Sequence, residues 1–159
     1  MKLVRNLSYF TMAAFLFLAA LSFSSCAVAY NKLSGTTYVI EIDESGEEDG
    51  IIGGIKWEFS SEKYPYVGET GNLLTISEYG EFTEEYIKMM LEAGFPVPEI
   101  ETKEAIKGCW RVISPSKLYV CVVGASQIKQ EYSFSIDDAS KTLTLENDTN
   151  GTIVLTKKE

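Results

Sequence analysis

The chain has 159 residues, with Lys+Arg 14 against Asp+Glu 23, no histidine and a formal net charge of −9. Nucleic acid and anionic lipid surfaces repel so acidic a chain, so no nucleic-acid partner is expected. Without histidine it lacks the usual general base near neutral pH, every Ser-His or Cys-His nucleophile pair, and most zinc and haem sites.

The first residues read as an address. Met1 to Arg5 is a short basic region, and Met12 to Leu21 is an apolar run of secretory length. Phe23-Ser24-Ser25-Cys26 resembles the bacterial lipobox, with Phe23 where leucine is usual. On that reading residues 1–25 are a lipoprotein signal peptide. Cys26 becomes the lipidated, palmitate-bearing N-terminus, and the protein is membrane-anchored in the bacterial cell envelope, at the outer membrane or its periplasmic face. Ala27-Val28-Ala29 is a rival A-x-A site that would release a secreted protein starting at Tyr30. The uncharged stretch between Arg5 and Lys32 is also long enough for an uncleaved anchor. All three place the domain outside the cytoplasm, where disulfides persist.

Residues 26–34 read as a tether and 35–159 as one domain. Thr36–Asp43 puts Tyr38, Ile40 and Ile42 on one face, and Ile55–Ser60 does the same with Ile55, Trp57 and Phe59. Such alternation marks half-buried strands. The acidic stretch Glu44–Gly50 reads as the hairpin loop between them, and Gly53-Gly54 as a bulge or bend. Asn72–Ser77 is a third strand. A helix is expected over 83–93, capped by Thr83, with Glu84 and Glu85 at the positive end of its dipole. Its stripe is Phe82, Tyr86, Ile87, Met90 and Leu91, and Gly94 with Pro96 and Pro98 stops it. Residues 99–107 carry no clear pattern. Five further strands follow at about 108–113, 117–124, 129–137, 141–147 and 151–157. Their inward sets are Trp110 and Val112; Leu118, Val120 and Val122; Tyr132, Phe134 and Ile136; Leu143 and Leu145; Ile153 and Leu155. Eight short strands joined mostly by hairpins point to an all-β, antiparallel up-and-down barrel, which hides its edges by closing. The helix is then expected against one barrel end, as a plug or as a cap on the mouth.

A loop at 114–116 pairs Ile113 with Lys117, Val112 with Leu118, Trp110 with Val120 and Cys109 with Cys121. The register that aligns the apolar faces therefore also sets the two cysteines opposite each other. A Cys109–Cys121 disulfide is the expectation, against two reduced cysteines packed as small apolar groups.

The remaining candidates carry little chemistry. Ser114-Pro-Ser-Lys117 has the letters of a serine-enzyme motif but lies between strands, where a turn is the simpler reading. Glu41, Asp43, Glu44, Glu47, Glu48 and Asp49 crowd one hairpin without the spacing of a calcium loop. Asn147-Asp-Thr149 and Asn150-Gly-Thr152 read as a turn. No catalytic residue, metal or cofactor is expected. The aromatic residues Tyr38, Trp57, Phe59, Trp110, Tyr132 and Phe134 all fall on inward faces. They either line an apolar ligand cavity or fill the barrel outright.

Several stretches resemble bacterial lipocalin-like proteins. Leu33-Ser-Gly35-Thr36-Thr37-Tyr38 is similar to their opening L-x-G-T-W, with Thr37 where tryptophan stands. Gly108-Cys-Trp110 is similar to their second G-x-W strand. Tyr132-Ser-Phe134-Ser-Ile136, Leu143-Thr-Leu145 and Gly151–Lys157 are similar to their closing ladder. The resemblance spans about 33 to 157 and implies a calyx-like barrel on a lipoprotein. With no histidine and no motif in its structural context, the expected function is non-enzymatic: a monomer with the six inward aromatics around a small apolar ligand, or a filled barrel acting as a structural or protein-binding module. Tyr64-Pro-Tyr66 is the loop segment expected to be exposed on such a module.

Overall fold

The computed structural model describes residues 25–42, 51–65, 68–100, 104–122 and 128–158. Eight antiparallel strands close into a barrel in simple up-and-down order. They are β1 (Thr36–Ile42), β2 (Ile51–Lys63), β3 (Asn72–Phe82), β4 (Ile106–Ser114), β5 (Lys117–Val122), β6 (Ile128–Asp137), β7 (Thr142–Asn147) and β8 (Gly151–Lys158). Closure comes from β1 on β8, where Tyr38 pairs with Lys157 and Val39 with Thr156. The expected architecture is thus the observed one. Every inward set read from the alternation lies in one core with Tyr38, Trp57 and Phe59.

Among the described residues, two helices decorate the barrel. Helix α1 covers residues 25–33 and α2 is Glu84–Glu92. The segment expected as a tether is therefore mostly helical. Ala29, Tyr30 and Leu33 recur at helical spacing and dock on the core, with Leu33 fully buried. Its last turn is tied down by Ser34 N–H on Tyr30 O (2.8 Å) and by the Thr36 hydroxyl donating to Leu33 O. α1, not α2, plugs the barrel end from which β1 departs.

The caps of α2 follow the sequence. The Thr83 hydroxyl accepts from Tyr86 N–H at 3.2 Å, Glu84 and Glu85 occupy the first turn, and Gly94 sits at φ 77° beyond the C-cap. Yet α2 buries no residue, and Met89, Leu91 and Phe95 are more than half exposed. The expected plug role is overturned, because the apolar stripe meets the barrel mainly through Phe82 stacked on Tyr86 at 4.8 Å.

Three local readings change. β2 runs through Gly53-Gly54 without a bulge, pairing Gly53 with Ile42 and Gly54 with Glu41; the irregularity lies between Phe59 and Lys63. Glycine is needed at 54 for close approach, since a Cβ there would lie 2.0 Å from Ile40 O. At the β4–β5 turn Lys117 pairs with Ser114 instead of Ile113, and the shift is absorbed between Val112 and Ser114. The pairs Val112–Leu118, Trp110–Val120 and Cys109–Cys121 stand as read. Ser114–Lys117 is accordingly a strand-to-strand turn.

The β6–β7 turn gives a pH prediction. The Asp137 carboxylate accepts hydrogen bonds from the Ser140 hydroxyl and from the Ala139 and Ser140 N–H groups, which hold its pKa below the ordinary value. A lowered folded-state pKa means the stabilisation is complete above the unfolded value and is lost as pH falls through the folded one. Asp137→Asn is expected to flatten the acid limb of a stability–pH profile. A profile with the wild-type slope below the carboxylate range would contradict this.

Candidate functional site

The barrel brings all six predicted aromatics into one cluster. Phe59 is its hub: it meets Tyr38 edge-on at 6.0 Å, Trp110 edge-on at 5.5 Å and Trp57 tilted at 6.2 Å. Tyr38, Phe59 and Trp110 are below 2% exposed. From below, Tyr30 of α1 stacks on Trp110 at 5.2 Å with planes 17° apart. Two buried polar groups fix this floor. Asn72 donates to the Tyr30 hydroxyl at 2.6 Å, and the Trp110 indole N–H donates to Ser60 O at 3.0 Å. Trp110 and Tyr30 thus close the floor of the barrel. Burial also raises the Tyr38 phenol above its ordinary pKa. In this lower half the rings pack on one another.

The upper half differs. Ile40, Ile55, Ile76, Val122 and Ile153 lie on the ring cluster and are only partly buried. Ile106, which pairs with Ile76, is 47% exposed. Ile100 of the β3–β4 connection packs against Gly80, at an inner-face register position of β3. Polar groups mark the β7–β8 side of this mouth. The Gln130 side-chain oxygen accepts from the Tyr132 hydroxyl (2.7 Å), from the Asn147 amide (2.9 Å) and from the Asn150 amide. Asn147 also closes the turn by accepting from Thr149 and Asn150 N–H. Among the described residues this end is thus an aliphatic ring with a polar corner over an aromatic floor.

Comparison with family models, with curated proteins and with solved structures finds no match. The functional reading therefore rests on the barrel itself.

A second cluster lies on the outer face, where the same alternation places Cys109, Arg111, Tyr119 and Cys121. Cys109 and Cys121 are directly opposed and fully buried, and their sulfurs are not joined in a disulfide in this structure. Opposed strand residues hold their Cβ atoms about 4.5–5.5 Å apart, wider than a disulfide favours. A Cβ on Gly108 would lie 2.1 Å from Cys121 O, so the two strands approach closely beside the cysteines.

The sequence reading missed what covers these thiols. Residues 68–71, leading into β3, lie over them because Gly71, at φ 155°, lacks a side chain: a Cβ there would meet Trp110 O at 2.6 Å. Arg111 pins the loop through Thr70 O (3.0 Å) and the Thr70 hydroxyl (2.6 Å), and lies 4.2 Å over the Tyr119 ring. Glu69 is thereby held above the cysteines. One of its oxygens accepts from Tyr119 OH at 2.9 Å and the other pairs with Lys129. Hydrogen bonds from Lys129 and then Tyr119 lower the Glu69 pKa, and the same bond raises that of Lys129. Burial, reinforced by Cys121, pushes the Cys109 thiol up to about 11. Burial and the bond to Glu69 push Tyr119 to about 12.

Other sequence candidates fall elsewhere. Tyr64 is buried against the cysteine cluster, not exposed, and Tyr66 lies outside the described residues. Of the acidic hairpin only Glu41 is described, as an exposed side chain. Cys26 is half-buried on the first turn of α1. Among the described residues no helix is long and apolar enough to cross a membrane.

Proposed function

We propose that this protein is a non-enzymatic lipoprotein of the bacterial cell envelope. Its barrel mouth takes a small apolar ligand, with Trp57 and the other five aromatics as floor and support. The observation that carries the reading is the half-buried aliphatic ring above a solid aromatic floor: burying it further removes apolar area from water at about 25 cal/mol per Å². Lipidation at Cys26, after removal of residues 1–25, agrees with the packing of α1. Cutting after Ala29 would strip a buried residue and leave a charged amine on Tyr30, against Trp110. Cys26 lies only about one helical turn from Ala29, so the anchored barrel stands close to the membrane, with its mouth facing away.

The test is tryptophan fluorescence of the protein titrated with oleate and with retinol. A saturable response is expected in Trp110→Phe, which keeps Trp57 paired with Ile76 beneath the aliphatic ring, and its loss is expected in Trp57→Phe. No saturable response to either probe, or one that follows Trp110, would remove the apolar-ligand reading.

A second reading is a filled-barrel, protein-binding envelope module. It is favoured by the exposed Met89, Leu91 and Phe95 on and beside α2. Its test is cross-linking in envelope extract. Leu91→Glu with Phe95→Glu should abolish a specific adduct, and an adduct insensitive to both counts against it.

A further inference from the structure

The geometry points to a metal site on the outer face of the barrel: Cys109, Cys121 and Glu69 form a three-ligand site for a thiophilic divalent cation such as Zn²⁺. The Sγ atoms of the two cysteines and a carboxylate oxygen of Glu69 all lie within 4.8 Å of one another. Two thiolates on one tetrahedral zinc, with Zn–S bonds of about 2.3 Å, are roughly 3.8 Å apart, so the ligands need close by only about 1 Å. Side-chain rotation supplies that much, whereas the S–S bond of a disulfide demands far more from two strands already in backbone contact at Gly108.

The surroundings suit this charge pattern. Binding releases the two S–H protons to solvent as two metal–sulfur bonds form. Two thiolates and one carboxylate around a divalent ion carry a net charge of −1. Lys129, already paired with Glu69, and Arg111, stacked on Tyr119, stand beside it and offset that charge. The second Glu69 oxygen stays hydrogen-bonded, as carboxylate ligands of metals usually are. The cysteines are fully buried and the Glu69 side chain is 8% exposed, so the ion would sit beneath Glu69, shielded from bulk solvent. Thiolate ligands select Zn²⁺ or Cd²⁺ over Mg²⁺ and Ca²⁺. The site is separate from the barrel mouth and does not depend on the ligand reading.

The experiment uses the reduced full-length chain carrying Cys26→Ser, so that only the two barrel cysteines are thiols. Cd²⁺ is titrated in while the ultraviolet thiolate-to-metal absorption is followed, and Zn²⁺ is then added in competition. One Cd²⁺ per chain, displaced by Zn²⁺, is expected. Glu69→Gln should keep the absorption band but weaken affinity by roughly tenfold or more. Cys121→Ser should lose the band, with circular dichroism confirming the barrel. Three outcomes overturn the site. These are no saturable band, equal affinity in Glu69→Gln, or natively purified chain whose mass shows Cys109 and Cys121 already joined by a disulfide.

Discussion

Trp110→Ala is expected to destabilise the barrel by roughly 4 kcal/mol, within the range for deleting a large buried aromatic. Trp110 is fully buried, stacks on Tyr30 of α1, meets the edge geometry of Phe59 and donates to Ser60 O. Its removal opens a cavity between plug and barrel, so α1 loses its seat as well. Domains of this size are stable by only about 5–15 kcal/mol, so the effect is a large share of the total. Trp110→Phe keeps most of the volume but leaves the Ser60 carbonyl without its donor, and should cost about 1–2 kcal/mol. Urea unfolding followed by circular dichroism measures both. A Trp110→Ala cost below about 1 kcal/mol would show that the floor does not depend on this ring.

Gly108→Ala should be damaging on a similar scale, through a different cause. The added Cβ would lie 2.1 Å from Cys121 O and 3.1 Å from both the Cys121 carbonyl carbon and Val122 Cα. These are backbone atoms of the partner strand and cannot rotate away. The β4–β5 pairing must separate, taking Trp110 and the buried thiols with it, at a cost of about 3 kcal/mol or more. The readout is the urea midpoint together with thiol reactivity: Cys109 and Cys121 should react faster in the variant. Unchanged stability and still-protected thiols would contradict the close approach.

Where sequence and structure part company, the cause is distance along the chain. Residues 26–34 looked like a tether because they follow a leader and precede the first alternating strand. Ala29, Tyr30 and Leu33 do have helical spacing, but their value as a plug appears only once Trp110 and Asn72 stand above them. Glu69 gave no signal at all. It reaches Tyr119, fifty residues on, because Gly71 and Arg111 fold its loop over the thiols. Conversely, the opposed cysteines were legible because one hairpin register decided them.

Alternation by twos in the amino-acid order was enough to settle which side chains turn inward, which strands neighbour each other and that the sheet closes, because each of these depends on local pleating and short turns. Only the folded chain decided that α1 seals the floor, that α2 stands free beside the mouth, and that a carboxylate lies over two thiols. Those arrangements join segments far apart in the chain, and their contacts exist only after the barrel has formed.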